Sequence, residues 1–155
     1  MTFMKRCLLI FLVFSFLLTG CACRKVEQGA ATQLSERMAK NDGLPSGQIY
    51  RSDALAGEEG YFSSQMMSVM YGEEAETRCF PLLEDYAIYL SSRQLPYEIA
   101  VFRCYAKSDT DRIVKMCLMR IETMRVLLAG TPFRQSADAA TVSVKGRCVT
   151  MCLVP

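Results

Sequence analysis

Cysteine is the abundant reactive residue type of this sequence, and histidine is absent from it. Eight cysteines stand among 155 residues, and there is neither histidine nor tryptophan. Without histidine, a Ser-His-Asp triad, a Cys-His pair and a histidine-ligated zinc site are excluded. A thiol-dependent enzyme needs an exposed cysteine of lowered pKa, and no complete catalytic constellation surrounds any of these cysteines. The sequence therefore predicts a non-enzymatic protein without a catalytic residue, cofactor or metal site, and a thiol-dependent enzyme is the alternative.

A charge-free apolar run precedes Cys21 and has the features of an export signal. It covers residues 7–18 and follows two basic residues, Lys5 and Arg6. As a helix these residues would span about 18 Å, which is less than the roughly 30 Å hydrocarbon core of a membrane. A basic start, an apolar centre of this length and a small-residue exit are typical of a secretory signal peptide. Residues 1–20 are therefore predicted to be removed on export.

The four residues Leu18-Thr19-Gly20-Cys21 resemble the lipobox of bacterial lipoproteins. The resemblance implies cleavage between Gly20 and Cys21, and a diacylglyceryl group on the Cys21 sulfur with acyl chains such as palmitate as the anchor. Each buried acyl CH₂ contributes about 0.8 kcal/mol, so two or three chains hold a protein at a bilayer where one chain binds only marginally. An ordinary signal peptide with a chance cysteine at this position is the alternative.

The charge balance after residue 20 bears on possible partners. This part of the chain carries 16 basic and 16 acidic side chains, so its formal charge is close to zero. A nucleic-acid-binding protein needs a basic surface that displaces counterions, and a polybasic membrane anchor needs clustered lysines and arginines. The balance argues against both classes. Lipid on Cys21 is thus the predicted attachment to the membrane, and the predicted location is the extracytoplasmic face of the cell membrane.

Six cysteines remain when Cys7 and Cys21 are set aside. They are Cys23, Cys79, Cys104, Cys117, Cys148 and Cys152. An even number in an exported protein predicts up to three disulfides, with 15 possible pairings. A bond between Cys148 and Cys152 is excluded, because residues four apart on a strand are about 13 Å apart and a disulfide needs Cα atoms within about 7 Å. Cys104 and Cys117 are expected to be buried thiols.

The remaining sequence predicts a tether and one domain. Residues 21–32 are small and polar and are predicted to form the lipidated cysteine and a flexible tether, and residues 33–155 a single domain. Its predicted elements are short helices at 33–41 and 61–71, a brief extended piece at 47–50, strands at 85–91 and 97–105, a long helix at 108–128, and strands at 139–144 and 147–154. The predicted fold class is α+β: an antiparallel sheet of two hairpins in the order β-β-α-β-β, preceded by short helices, with the long helix packed on one face.

The long helix is the most strongly patterned element of the sequence. Ser108 is its predicted N-cap, and Gly130 and Pro132 end it. Its predicted apolar stripe consists of Ile113, Met116, Cys117, Ile121, Met124, Leu127 and Leu128.

The second hairpin has one apolar and one polar face. Lys145-Gly146 is the predicted turn, which would pair Val144 with Arg147 and Val142 with Val149. If no other element covers the polar face, it is the candidate contact surface for a partner or ligand. The residues of that face are Ser143, Cys148, Thr150 and Cys152.

Three short segments carry a resemblance to a known family. They are the strand Tyr97-Glu98-Ile99-Ala100-Val101-Phe102, the turn Lys145-Gly146 before an apolar strand, and the helix exit Met70-Tyr71-Gly72. Together with the lipobox, the chain resembles the small lipoproteins of the domain of unknown function 4358 family. The resemblance implies this α+β fold and an envelope location, and it supplies no active residues. The cysteine-rich composition departs from that family.

Acidic clusters at 58–59 and 73–76 are predicted to be solvated surface, and Glu98 is predicted to lie at an edge or surface position.

The expected function is that of a lipid-anchored, non-enzymatic module of the cell envelope that binds a small ligand or an envelope protein. The alternatives are a thiol-dependent enzyme and an accessory subunit of a membrane assembly. Mapping the thiols and the Cys21 adduct would distinguish these possibilities.

Overall fold

The computed structural model describes residues 27–92 and 95–155. The predicted signal peptide, the Cys21 lipidation site and Cys23 lie outside the described residues. The elements are helix α1 (Ala30–Met38), strand β1 (Gly47–Arg51), helix α2 (Ser64–Tyr71), a π-helical turn (Ala75–Cys79), a 3₁₀ turn (Phe80–Leu82), strands β2 (Leu83–Ser91) and β3 (Glu98–Cys104), a 3₁₀ turn (Lys107–Asp109), helices α3 (Thr110–Leu127) and α4 (Arg134–Asp138), and strands β4 (Thr141–Lys145) and β5 (Cys148–Leu153).

The strands form a five-stranded antiparallel sheet in the order β1-β2-β3-β5-β4. The predicted α+β class is confirmed, and the two predicted hairpins join through pairing of β3 with β5. The predicted arrangement was incomplete, because β1 adds a fifth strand that pairs with β2 in a register that sets Ile49 opposite Tyr89. The sequence GQIYR is short and half polar, so its strand character comes from hydrogen bonds to β2.

Helix α3 packs on one face of the sheet, as predicted. The shared core contains side chains from α3 (Ile113, Met116, Cys117, Ile121) and from the sheet (Ile88, Ala100, Phe102, Val149, Met151). Alternate strand residues point to one face, so Ala100 and Phe102 lie towards α3 while Ile99 and Val101 lie on the other side. Aromatic rings of α2 and the following turn extend this core, with Tyr71 and Phe102 edge to face at 5.6 Å.

Two details of the long helix differ from the prediction. Ser108 lies within a 3₁₀ turn, and the helix begins after Asp109, which makes no side-chain cap. The Thr110 hydroxyl instead donates a hydrogen bond to the carbonyl of Lys107 at 2.8 Å. Leu127 is 65% exposed and therefore does not belong to the core stripe.

Helix α1 covers the opposite face of the sheet. Leu34 and Ala30 are fully buried against a second core cluster that consists of Ala87, Tyr89, Ile99 and Val101. The condition for a contact surface on the polar face of the second hairpin is therefore not met, because Cys148 and Thr150 lie beneath α1 at 2% and 6% exposure. The helix starts at Ala30, within the segment 21–32 that the sequence predicts to be a tether.

The β4–β5 hairpin has a different register from the one predicted. Lys145 pairs with Cys148 and Val144 with Val149, so the turn residues are Gly146 and Arg147. The predicted pairing of Val144 with Arg147 was wrong by two positions. A shift of two keeps every side chain on its face, so the predicted division into apolar and polar faces is confirmed. Gly146 has the positive φ of 62° that a two-residue turn requires.

Candidate functional site

A cavity of about 610 Å³ lies between the end of α2, the π-helical turn and the first half of α3, and it is called here the α2–α3 cavity. Its volume is within the roughly 300–1,000 Å³ that small-molecule sites occupy. The lining residues used in the following argument are Tyr71, Glu73, Glu74, Ala75, Arg78, Cys79, Arg112, Lys115, Met116 and Met119.

The chain reversal after α2 creates one wall of this cavity. Gly72 ends the helix at a φ of 97°, which a residue with a side chain adopts only under strain. The Ala75 amide then donates to the Gly72 carbonyl at 2.9 Å, and the π-helical turn follows. A π turn is wider than an α turn and is often found at functional sites. Ala75 and Cys79 of this turn are buried at the base of the cavity.

A buried polar network lies at the inner end of the cavity. The Tyr71 hydroxyl donates to Glu98 Oε1 at 2.5 Å, and Arg120 Nε donates to Glu98 Oε2 at 3.0 Å. The Glu98 side chain is 2% exposed and the Arg120 side chain 12%, so this is a desolvated ion pair. Burial, and then the negative charge of Glu98, raise the pKa of Tyr71 far above its ordinary value. Tyr71 is therefore a neutral hydroxyl at physiological pH.

The sequence interpretation of Glu98 was wrong, and the network around it was missed. Glu98 is 1% exposed and lies on β3, between β2 and β5, rather than at an edge. A single acidic residue at the start of the apolar strand YEIAVF was a usable sign of a buried partner. Arg120 also lies within the helical spacing of the core stripe, between Cys117 and Ile121. The two positions together pointed to an internal ion pair.

The outer rim of the α2–α3 cavity is basic. Arg112 and Lys115 project from α3, and within the described ranges neither has an acidic group inside 4.0 Å. Arg78 pairs with Glu74 at 2.9 Å, which leaves Glu73 as the unpaired acid of the rim. The balance of unpaired charge at the rim of the cavity is positive.

The acidic clusters at 58–59 and 73–76 are exposed, as predicted for their glutamates.

The apolar part of the cavity comes from methionine, alanine and cysteine. Met116 is 3% exposed and forms the floor, whereas Met119 is 63% exposed and stands at the mouth. Methionine side chains are flexible and polarisable, so they adapt to apolar groups of different shape. The cavity thus combines an adaptable apolar floor with a cationic rim, which suits an anion that carries an apolar group.

The cysteines of the described residues are all unpaired thiols, namely Cys79, Cys104, Cys117, Cys148 and Cys152. The predicted disulfides are therefore not formed among them, and the predicted burial of Cys104 and Cys117 is confirmed. Burial raises the pKa of all five thiols, that of Cys104 to about 11. A thiol in this state is protonated at neutral pH and is a poor nucleophile.

The structure keeps the four residues of the predicted contact face on one side of the β4–β5 hairpin, with Ser143 opposite Thr150, but it leaves only one of them exposed. Cys148 is buried and lies 3.0 Å from Gln33 Nε2, and Thr150 is buried beside it. Cys152 is half-buried against α1. Ser143 alone is exposed, on edge strand β4.

No protein-family model, curated protein or solved structure matches this chain. The resemblance to the domain of unknown function 4358 family therefore stays a prediction.

Among residues 27–92 and 95–155, every helix is too short or too polar to pass through a lipid bilayer.

Proposed function

We propose that this protein is a lipid-anchored module of the extracytoplasmic membrane face that binds an amphipathic anion in the α2–α3 cavity. The observation that carries the proposal is the combination of a 610 Å³ cavity with an apolar floor and two unpaired basic side chains at its rim. The lipobox at Leu18–Cys21 supports the anchor and the location. Non-enzymatic binding fits a cavity whose only thiol among the described residues, Cys79, has a pKa raised by burial and whose tyrosine, Tyr71, is a neutral hydroxyl.

The apolar group of the ligand would lie against Met116 and Ala75. Both side chains are buried at the cavity base and offer no hydrogen bond to a ligand. Removal of apolar surface from water stabilises a complex by roughly 25 cal/mol per Å². Contact with this floor therefore contributes to affinity without requiring one particular orientation of the ligand.

The anionic group of the ligand would lie between Arg112 and Lys115. These residues are three apart on α3, so their side chains emerge from neighbouring positions of one helix face. Carboxylate, sulfate and phosphate groups all accept hydrogen bonds from such a pair, and a bidentate contact to the guanidinium strengthens the interaction.

A binding titration with matched variants tests the proposal. Decanoate and decyl phosphate are added to the purified protein below their micelle concentrations, and binding heat is measured. We expect Arg112→Gln combined with Lys115→Gln to weaken binding about tenfold, since each exposed ion pair contributes up to about 1 kcal/mol. The control is Arg51→Gln with Lys107→Gln, an equal charge change at exposed positions that do not line the cavity. Equal affinity in both double variants, or no binding of either probe, contradicts the proposal.

The thiol-dependent enzyme is a weaker candidate than the binding module. Its nucleophile would need a lowered pKa, and burial raises the pKa of each cysteine between residues 27 and 155. A thiol reagent at neutral pH should therefore react slowly with these five cysteines in the native protein and rapidly after unfolding. Rapid labelling of one of them in the native state would favour the enzyme.

The accessory-subunit alternative has one observation in its favour. The outer surface of α3 exposes the apolar side chains of Leu118, Met119, Val126 and Leu127. Exposed apolar side chains concentrated on one helix are a feature of protein interfaces. Recovery of a stoichiometric membrane partner with the wild type, but not with Val126→Gln combined with Leu127→Gln, would favour this function.

A further inference from the structure

A second cavity lies on the other side of the sheet, at the end of the domain where the described chain begins. It is called here the anchor groove and has a volume of about 610 Å³ between α1 and the β4–β5 turn. Its lining residues are polar and include Glu27, Glu36, Arg37, Lys40, Ser143 and Lys145. It is separate from the α2–α3 cavity, with which it shares no lining residue.

The position of the anchor groove relative to Cys21 follows from one ion pair. Arg147 holds Glu27 on the sheet through its backbone amide, at 3.2 Å from Oε1, and its guanidinium, at 2.8 Å from Oε2. The backbone hydrogen bond from Arg147 lowers the pKa of Glu27, which favours its charged form. The five residues 22–26 then separate Cys21 from the domain surface. A chain of that length spans about 20 Å when fully extended.

The unpaired charge of the anchor groove is positive. Arg37, Lys40 and Lys145 are exposed, and within the described part of the chain no acidic group approaches any of them within 4.0 Å. Of the two acids in the groove, Glu27 pairs with Arg147, which is shared with Glu84 at 2.8 Å, and Glu36 keeps its charge while it accepts a hydrogen bond from Gln28 at 3.0 Å. Three exposed basic side chains against one unpaired acid leave the groove positive at the end of the domain next to the predicted lipid.

We propose that the anchor groove contacts the phosphate groups of anionic phospholipids and so orients the domain on the bilayer. The inference rests on the proposed lipid anchor. Since the tether reaches at most about 20 Å, it keeps the groove close enough to approach the headgroup layer to within one Debye length, about 8 Å at physiological ionic strength. The α2–α3 cavity lies across the sheet from the anchor groove and therefore faces away from the membrane, open to ligands.

Lysine footprinting on the full lipidated chain tests this orientation. The protein is reconstituted into vesicles of phosphatidylglycerol or of phosphatidylcholine, acetylated briefly with an amine reagent, and analysed by mass spectrometry. Lys40 and Lys145 report on the anchor groove, and Lys107, which is exposed and lines neither cavity, is the internal control. We expect about fivefold slower acetylation of the groove lysines on phosphatidylglycerol, since attraction to an anionic surface changes the binding equilibrium of one basic side chain by roughly that factor. The control lysine should react equally on both vesicles.

A variant with a longer tether gives a second measurement. Twenty glycine and serine residues inserted between Val26 and Glu27 preserve the anchor but lower the effective concentration of the groove at the surface. Protection of Lys40 and Lys145 should then decrease towards the phosphatidylcholine value. An anchored protein with equal acetylation on both vesicles, or with protection unaffected by the insertion, overturns the orientation alone. A chain that carries no acyl adduct on Cys21 overturns the anchored function and the orientation together.

Discussion

Replacement of Glu98 by glutamine tests the account of the buried polar network. Glu98→Gln preserves the shape of the side chain and leaves an oxygen that can accept from Tyr71, but it removes the charge that faces Arg120. Loss of one partner of a buried ion pair costs about 3–5 kcal/mol, because the other charge stays buried. Arg120 is 12% exposed, so some water reaches its guanidinium, and the lower end of that range applies. We expect the free energy of unfolding to decrease by about 3 kcal/mol.

Two further variants separate the charge effect from a general packing defect. Arg120→Met leaves the Glu98 carboxylate unpaired and should also cost about 3 kcal/mol. The double variant Glu98→Gln with Arg120→Met removes both charges, so its cost should be about 1–2 kcal/mol, well below the sum of the single costs. Asp138→Asn breaks an exposed pair with Arg134 and is the control, which should change the free energy of unfolding much less than Glu98→Gln does.

Urea unfolding followed by far-ultraviolet circular dichroism measures these differences. The midpoint and slope of each transition give the free energy of unfolding, and an unchanged slope shows that the same surface is exposed in every variant. A Glu98→Gln variant within about 1 kcal/mol of the wild type would refute the assignment of a desolvated pair. Additive costs in the double variant would refute the coupling between Glu98 and Arg120.

Three other perturbations have defined outcomes. Arg147→Met frees Glu27, so limited proteolysis should cut near the start of α1 faster than in the wild type; an unchanged cleavage pattern would contradict the contact. Gly47→Ala places a Cβ 2.6 Å from Tyr89 Cε2 and against a β2 carbonyl, so a thermal melt should show a loss of about 1–3 kcal/mol. Stability should fall between pH 9 and 11, because the unfolded Cys104 thiol loses its proton from about pH 9 while burial raises the folded pKa to about 11. Urea midpoints across this range for Cys104→Ala should decline less steeply than those of the wild type.

Periodicity predicted the elements whose sequence repeats match their burial. The α3 stripe from Ile113 to Met124 is confirmed by its burial, and the apolar residues of β5 share the face that packs against α3, although the polar face of β5 is buried as well. Gly72 and Gly146 also mark the helix end and the turn that their backbone angles require.

Features that depend on tertiary contacts were not visible in the local sequence. Strand β1 is stabilised by pairing with β2, and α1 by burial of Leu34 on the sheet, so neither has a strong pattern of its own. The predicted contact face failed for the same reason, since α1 covers Cys148 and Thr150. The α2–α3 cavity depends on how a helix end, a π turn and α3 meet, which no short segment encodes.

The unpaired thiols of the interior have a consequence for how the domain reaches its native state. Cys79, Cys104, Cys117, Cys148 and Cys152 act as small apolar side chains, so within residues 27–92 and 95–155 no sulfur–sulfur bond has to be made or exchanged. Folding of this region thus needs no oxidant to join these five thiols to one another, and the apolar contacts between the sheet and its two helical layers hold it instead.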